Sequence, residues 1–361
     1  MSDFKINSIA TKQGQHGPVI AGVSTVNSTG CMKIPSGPTY YRGNRGRGIF
    51  ASGTEPNSVK NIDFINIAST GNATAWGEVL GNGMGLAGGA SNNVRGVYTG
   101  GFEGAPANGR VNTIQALNIP TAGDIFDFGD LTYTVQQMSG VGNQTRGVYA
   151  NGYAVPLAPS TDSLNMTYTM IEFMSSANKT DFGDIIANAA CRDLATVETH
   201  IRGYFAGGEG TGQVPGTHNK NITIKGFANN SESLTFGELS VQAKRGAGVG
   251  SYTRGVFICG GIADSPEAFS NTIEFITLTT SGEATDFGDA TSNTGAINNN
   301  SASNTIRGVY HNPRTTDGGA EKNILEFITI ATTGNATDFG DLNYSSRNGC
   351  GLSDSHGGLP L

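Results

Sequence analysis

The chain has 361 residues, 54 of them Gly and 12 Pro, with 14% charged side chains and a net charge of −7. The glycines keep no three-residue period, which excludes a collagen-like fibre, and 37% hydrophobic residues in short regular runs exclude a disordered chain. An acidic balance without Lys/Arg clusters speaks against nucleic acid or an anionic membrane surface as partner, and no run approaches the roughly 18 apolar residues of a membrane span.

Residues 1–46 form the first segment. MSDFKINSIATKQGQHG lacks the charged-then-apolar layout of a secretory signal. PVIAGVSTV reads as strand, and KIPSGPTYYRGNRG as a Pro/Gly-rich connector, so the segment is expected to be an extended arm. From residue 47 the chain repeats itself. Arg-Gly followed by two apolar or aromatic residues recurs at 47, 95, 146, 202, 254 and 307, at intervals of 48, 51, 56, 52 and 53 residues. An apolar run follows each time: NIDFINI, NTIQALNI, YTMIEFM, NITIKGF, NTIEFITL and NILEFITI. A third marker closes each unit: AWGE (75–78), DFGD (127–130), DFGD (181–184), TFGE (235–238), DFGD (286–289) and DFGD (338–341). Gly/Ala/Ser-rich stretches such as GMGLAGGASNN and VQAKRGAGVGS separate one unit from the next. No amphipathic helix stands out.

Each unit therefore predicts four short strands. Radially arranged sheets are wedges, crowded at the axis and open at the rim, so inner strands need small residues and outer strands aromatic ones. The order small, apolar, apolar, aromatic fits a blade read outward. The expectation is an all-β, six-bladed propeller with four-stranded blades over 47–361. The first unit lacks its small-residue strand, and the chain's end, SSRNGCGLSDSHG, has that character, so 345–357 is expected to complete the first blade and remove a free edge.

The six Arg residues (Arg47, Arg95, Arg146, Arg202, Arg254, Arg307) equal in number the six acids Glu78, Asp130, Asp184, Glu238, Asp289 and Asp341. Two readings stand: a repeated Arg–carboxylate bond tying strands or blades together, or guanidiniums merely solvated at strand ends. The aromatics before the acids, Trp76, Phe128, Phe182, Phe236, Phe287 and Phe339, are expected to pack between blades, with the intervening Gly allowing a bulge or close approach. Asp-Phe-Gly also occurs in kinases, but here it recurs once per unit without a phosphate loop or catalytic loop.

The remaining chemistry is sparse. Cys31, Cys191, Cys259 and Cys350 are far apart and read as reduced structural thiols. His16, His200, His218, His311 and His356 show no ligand spacing and read as loop or surface residues. No catalytic, cofactor or metal set is discernible, and none is expected. Departures from the repeat collect at 151–168, 191–200, 208–220 and 311–322, where inserted loops are candidates for binding.

A period near 50 with a double Gly after an apolar strand (YFAGG, FICGG) resembles the kelch repeat, although Phe-Gly-Asp replaces the usual kelch Tyr and Trp partners. The fuller phrase, RGVF, Gly-Gly, then NTIEFIT and ATDFGD, resembles repeats in virion proteins of tailed phages of marine bacteria and cyanobacteria, over about residues 47–357. GVSTVNSTGCMKIPSGPT is similar to segments that begin phage structural proteins. The resemblance implies a non-enzymatic virion protein in a tail fibre, baseplate or capsid surface. It implies a role in host adsorption, multiple copies, contacts with other virion proteins through the arm, and a host surface glycan or receptor as target. A sialidase-like surface-glycan hydrolase is the enzymatic alternative, but the Arg residues are periodic and no Ser-x-Asp-x-Gly-x-x-Trp box occurs. A cellular kelch-type adaptor is the third reading.

Overall fold

The computed structural model describes residues 46–359 except 55–58, 105–108, 157–162, 176–178, 212–213, 265–266, 281 and 317–318, together with 19–20 and 23–24. In the arm, Val19–Ile20 pairs antiparallel with Val23–Ser24; the rest of 1–45, Cys31 and His16 included, lies outside the described residues. The described elements are all strands, and their sheets are arranged as a β-propeller.

The expected order from axis to rim is the order found. In the third repeat, Ser139–Gly142 lies innermost, then Arg146–Ala150, Thr167–Glu172 and Thr180–Asp184. The first repeat uses Arg47–Gly53, Val59–Asn66 and Thr74–Glu78, and its innermost strand is Cys350–Ser353, paired Gly48↔Ser353 through Ala51↔Cys350.

One expectation requires correction. Six separate four-stranded blades were predicted, and only five sheets stand alone on that four-strand path, one of them carrying an extra strand, Gly261–Asp264. The second repeat's strands belong to an eight-stranded sheet. The insertion in the third repeat reaches back, so that Tyr153–Pro156 pairs with the lengthened outer strand Phe126–Gln136, and Ser163–Leu164 adds a further strand. An outermost strand offers unpaired backbone groups, and a long inserted loop supplied the partner.

The core lies between the sheets. Six apolar clusters occur among the described residues, each combining side chains of neighbouring repeats. One joins Phe339 and Val309 to Phe50 and Ile67, that is, the sixth repeat to the first. Trp76, Phe128, Phe182, Phe236, Phe287 and Phe339 are all buried in these clusters.

Small residues near the axis serve two purposes. A Cβ on Gly140 would collide with Gly89 O, and one on Gly351 with the Ser301 backbone. The serines and threonines satisfy backbone acceptors that inner strands leave bare: Ser91 Oγ donates to Ser353 O (2.7 Å), Ser353 Oγ to Ser303 O (2.6 Å), Ser301 Oγ to Gly248 O (2.9 Å) and Thr196 Oγ1 to Gly140 O (2.9 Å).

Before each inner strand, one non-Gly residue adopts a left-handed backbone: Leu86, Gln137, Asp193, Arg245, Ala296 and Asn348, with φ between 52° and 62°. Each such conformation costs on the order of 1–3 kcal/mol. A circuit of backbone hydrogen bonds offsets that cost. Leu86 N donates to Asn348 O, Gln137 N to Leu86 O, Asp193 N to Gln137 O, Arg245 N to Asp193 O, Ile297 N to Arg245 O and Asn348 N to Ala296 O.

Candidate functional site

The repeated arginines do not meet the repeated acids. Five of the six guanidiniums turn to the backbone of the next repeat: Arg47 Nη1 donates to Ile119 O (2.7 Å), Arg95 to Phe173 O (2.7 Å), Arg146 to Phe227 O (3.2 Å), Arg254 to Ile330 O (3.1 Å) and Arg307 to Ile67 O (3.3 Å). Four of these stack over aromatic rings of their own repeat, for instance Arg47 over Phe64 and Trp76, and Arg307 over Phe327. The ladder is thus Arg–carbonyl. It runs from every repeat but the fourth to its successor, the sixth reaching the first.

The six acids contribute mainly backbone. Glu78 O, Asp184 O, Glu238 O, Asp289 O and Asp341 O accept N–H groups from the following repeat's loop. Glu238 also pairs at the surface with Lys220; Asp130 lies exposed on its strand. The intervening glycines allow this approach: a Cβ on Gly237 would fall on Gly282 O, and Gly288 and Gly340 hold φ of 147° and 143°. Asn72 and Asn335, within glycan-type sequons, cap Asp341 N and Asp289 N with their side chains.

The carboxylates that tie neighbouring repeats together were missed by sequence reasoning. Asp63, Glu274 and Glu326 sit buried in the middle of the apolar runs. They accept from Asn343 N (2.7 Å), Ser240 N (3.1 Å) and Thr291 N (3.2 Å) of the preceding repeat. A lone acid inside an otherwise apolar strand, as in NIDFINI and NTIEFITL, was the available signal.

Two inserted loops do come together. Arg192, from 191–200, bonds Glu209, from 208–220, and Lys244 completes the group. Beside it, fully buried Asp193 pairs with Arg245 Nε (3.2 Å) and accepts from Gln137 Nε2 (2.6 Å). Burial alone would raise the Glu209 carboxyl, but Arg192, Lys244 and Arg245 hold it below its ordinary range.

At the other end of the axis the chain's own tail covers the opening. Two histidines read as loop or surface residues are buried, His311 and His356. His311 lies between Asn300 and Lys322 O, and burial pushes it down to about 4, so it is neutral. His356 Nδ1 lies 2.6 Å from Glu198 Oε1 and Nε2 donates to Ser91 O (2.9 Å), an arrangement that suits imidazolium. His356, Glu198 and Ser91 border an axial cavity of about 50 Å³, room for ordered water. Cys191, Cys259 and Cys350 are free and buried. Among the described residues no three His, Cys, Asp or Glu side chains converge as a metal site would require.

One sector breaks the ladder. Position 204 is Tyr, where the other repeats carry Ile49, Val97, Val148, Val256 and Val309. The Tyr204 hydroxyl donates to Leu278 O, the carbonyl that Arg202 would otherwise take. Arg202 instead lines an open groove of about 440 Å³ with Thr199, His200, Tyr252, Thr279 and Leu359. Its guanidinium has no hydrogen bond or ion pair among the described residues, unlike its five counterparts. This groove is the candidate binding site.

A scan against protein-family models finds no match, and a search of curated proteins finds no relative.

Proposed function

We propose that the chain is a non-enzymatic virion structural protein of a tailed phage, displayed on the particle and serving host adsorption. In this reading it is a six-bladed kelch-like propeller, the eight-stranded sheet being the second blade. Cys350–Ser353 closes the ring, and residues 1–46 dock it on a neighbouring virion protein. The observation that carries the reading is the resemblance of the whole repeat phrase to phage virion repeats. The fold is compatible with it: a ring clamped from repeat to repeat is a stiff platform on which inserted loops can vary.

The reading is tested on purified particles. Peptide mass spectrometry is expected to find the protein in several copies per virion, and the isolated protein is expected to compete with particles for attachment to host cells. A chain absent from purified virions overturns it.

A further inference from the structure

We infer that the groove between the fourth and fifth repeats binds an acidic saccharide through Arg202. The inference rests on the adsorption reading and gives it a ligand class.

Of the six repeated arginines, Arg202 alone has a guanidinium without a hydrogen-bond or ion-pair partner among the described residues. In five repeats the Arg at this position spends its donors on the next repeat's carbonyl, at Ile119, Phe173, Phe227, Ile330 and Ile67. In the fourth, a buried Tyr hydroxyl pre-empts the equivalent carbonyl of Leu278. A cation that lines a cavity with its donors unspent is set to receive an anion, and guanidinium geometry favours a carboxylate held by two parallel hydrogen bonds.

The walls select what carries that carboxylate. Ile201, half exposed, and the buried Leu278 and Leu359 give an apolar surface, Tyr252 an aromatic one, and the exposed Thr279 supplies a hydroxyl group, while the buried Thr199 hydroxyl is held by the Arg202 backbone. Apolar face, aromatic contact, a hydroxyl partner and one cation match a pyranose ring bearing a carboxylate. A volume near 440 Å³ is in the range of small-molecule sites. A free inorganic anion would use the cation and leave the walls empty.

The test is calorimetric titration of the full-length protein with a uronate tetrasaccharide and with sialyllactose, against the methyl-esterified tetrasaccharide and inorganic phosphate. At least one acidic sugar is expected to bind, and its neutral or esterified form about tenfold or more weakly. Arg202→Met is expected to weaken binding by a similar factor with an unchanged melting temperature, because Arg202 holds nothing in the fold. Tyr204→Phe provides an independent variant: it keeps the ring, frees Leu278 O for Arg202, and is expected to weaken binding without removing charge. Arg254→Met, where the guanidinium is already anchored, leaves binding intact. Failure of both acidic sugars to bind, equal binding to Arg202→Met, or competition by phosphate at the same affinity overturns the inference. If the protein is nonetheless present in virions, the groove assignment falls and the virion reading stands.

Discussion

A chain ending at Gly349 is expected to lose most of its stability, melting at least about 15 °C below the full chain or failing to fold. Removing Cys350–Ser353 strips the inner edge of the Arg47–Gly53 strand of its ladder partner. It also removes Cys350 and Leu352 from the cluster containing Trp76 and Tyr98, and Leu359 from its buried position. Burying each leucine contributes roughly 1.5–3 kcal/mol, and each ladder hydrogen bond about 0.5–1.5 kcal/mol. The total approaches the roughly 5–15 kcal/mol that holds a whole domain folded. A chain ending at Leu359 keeps every one of these contacts and is expected to melt with the full-length protein. A Gly349 truncation that melts within a few degrees of the full chain would show that the strand adds little to the first sheet.

Replacing Asp354 by Asn is expected to stabilise the protein at about pH 8 by up to about 3 kcal/mol and to leave it nearly unchanged below about pH 4. Burial pushes the Asp354 carboxyl up to about 6, with the Arg47 N–H opposing in part through a 2.8 Å bond to Oδ1. The folded chain therefore holds this proton more tightly than the unfolded one. The stability it contributes falls as pH climbs from about 4 through about 6. His356 acts in the same direction. Burial alone would lower it, but the Glu198 carboxylate and the Ser91 carbonyl more than compensate and hold it above its ordinary value. Its contribution is complete below the imidazole's unfolded value of about 6.5 and fades as pH rises through the folded one. Thermal melts of the full chain, Asp354→Asn and His356→Gln between about pH 4 and about pH 9 test both. The His356→Gln deficit should be largest at the acid end and shrink with rising pH. A deficit that grows with pH would contradict the assignment of a charged imidazole.

What the sequence disclosed follows from which forces leave a periodic trace. Wedge packing does, because the axial crowding around Gly140 and Gly351 and the rim aromatics Phe287 and Phe339 recur at a fixed interval. The missing inner strand of the first repeat could be read from what SSRNGCGLSDSHG resembled. Partner choice leaves no such trace. Six arginines and six acids at the same beat suggested each other, but a guanidinium over Phe275 reaches a carbonyl of the next repeat while Asp289 stays exposed on its own strand. The carboxylates that bind across repeats, Asp63 and Glu326 among them, are buried inside runs that read simply as apolar. The joined eight-stranded sheet depended on an inserted loop from another repeat, a contact that strand patterning within one unit does not encode. His356 became a buried ion only because the tail folds over the axis.

The central claim is that the two ends of the repeat region meet in one sheet, and amide hydrogen exchange of the unmodified protein tests it most directly. Amides of Cys350–Ser353 are expected to exchange as slowly as those of Arg47–Gly53, on the timescale of global unfolding. Exchange of 350–353 within seconds, while the Arg47–Gly53 strand remains protected, would contradict it.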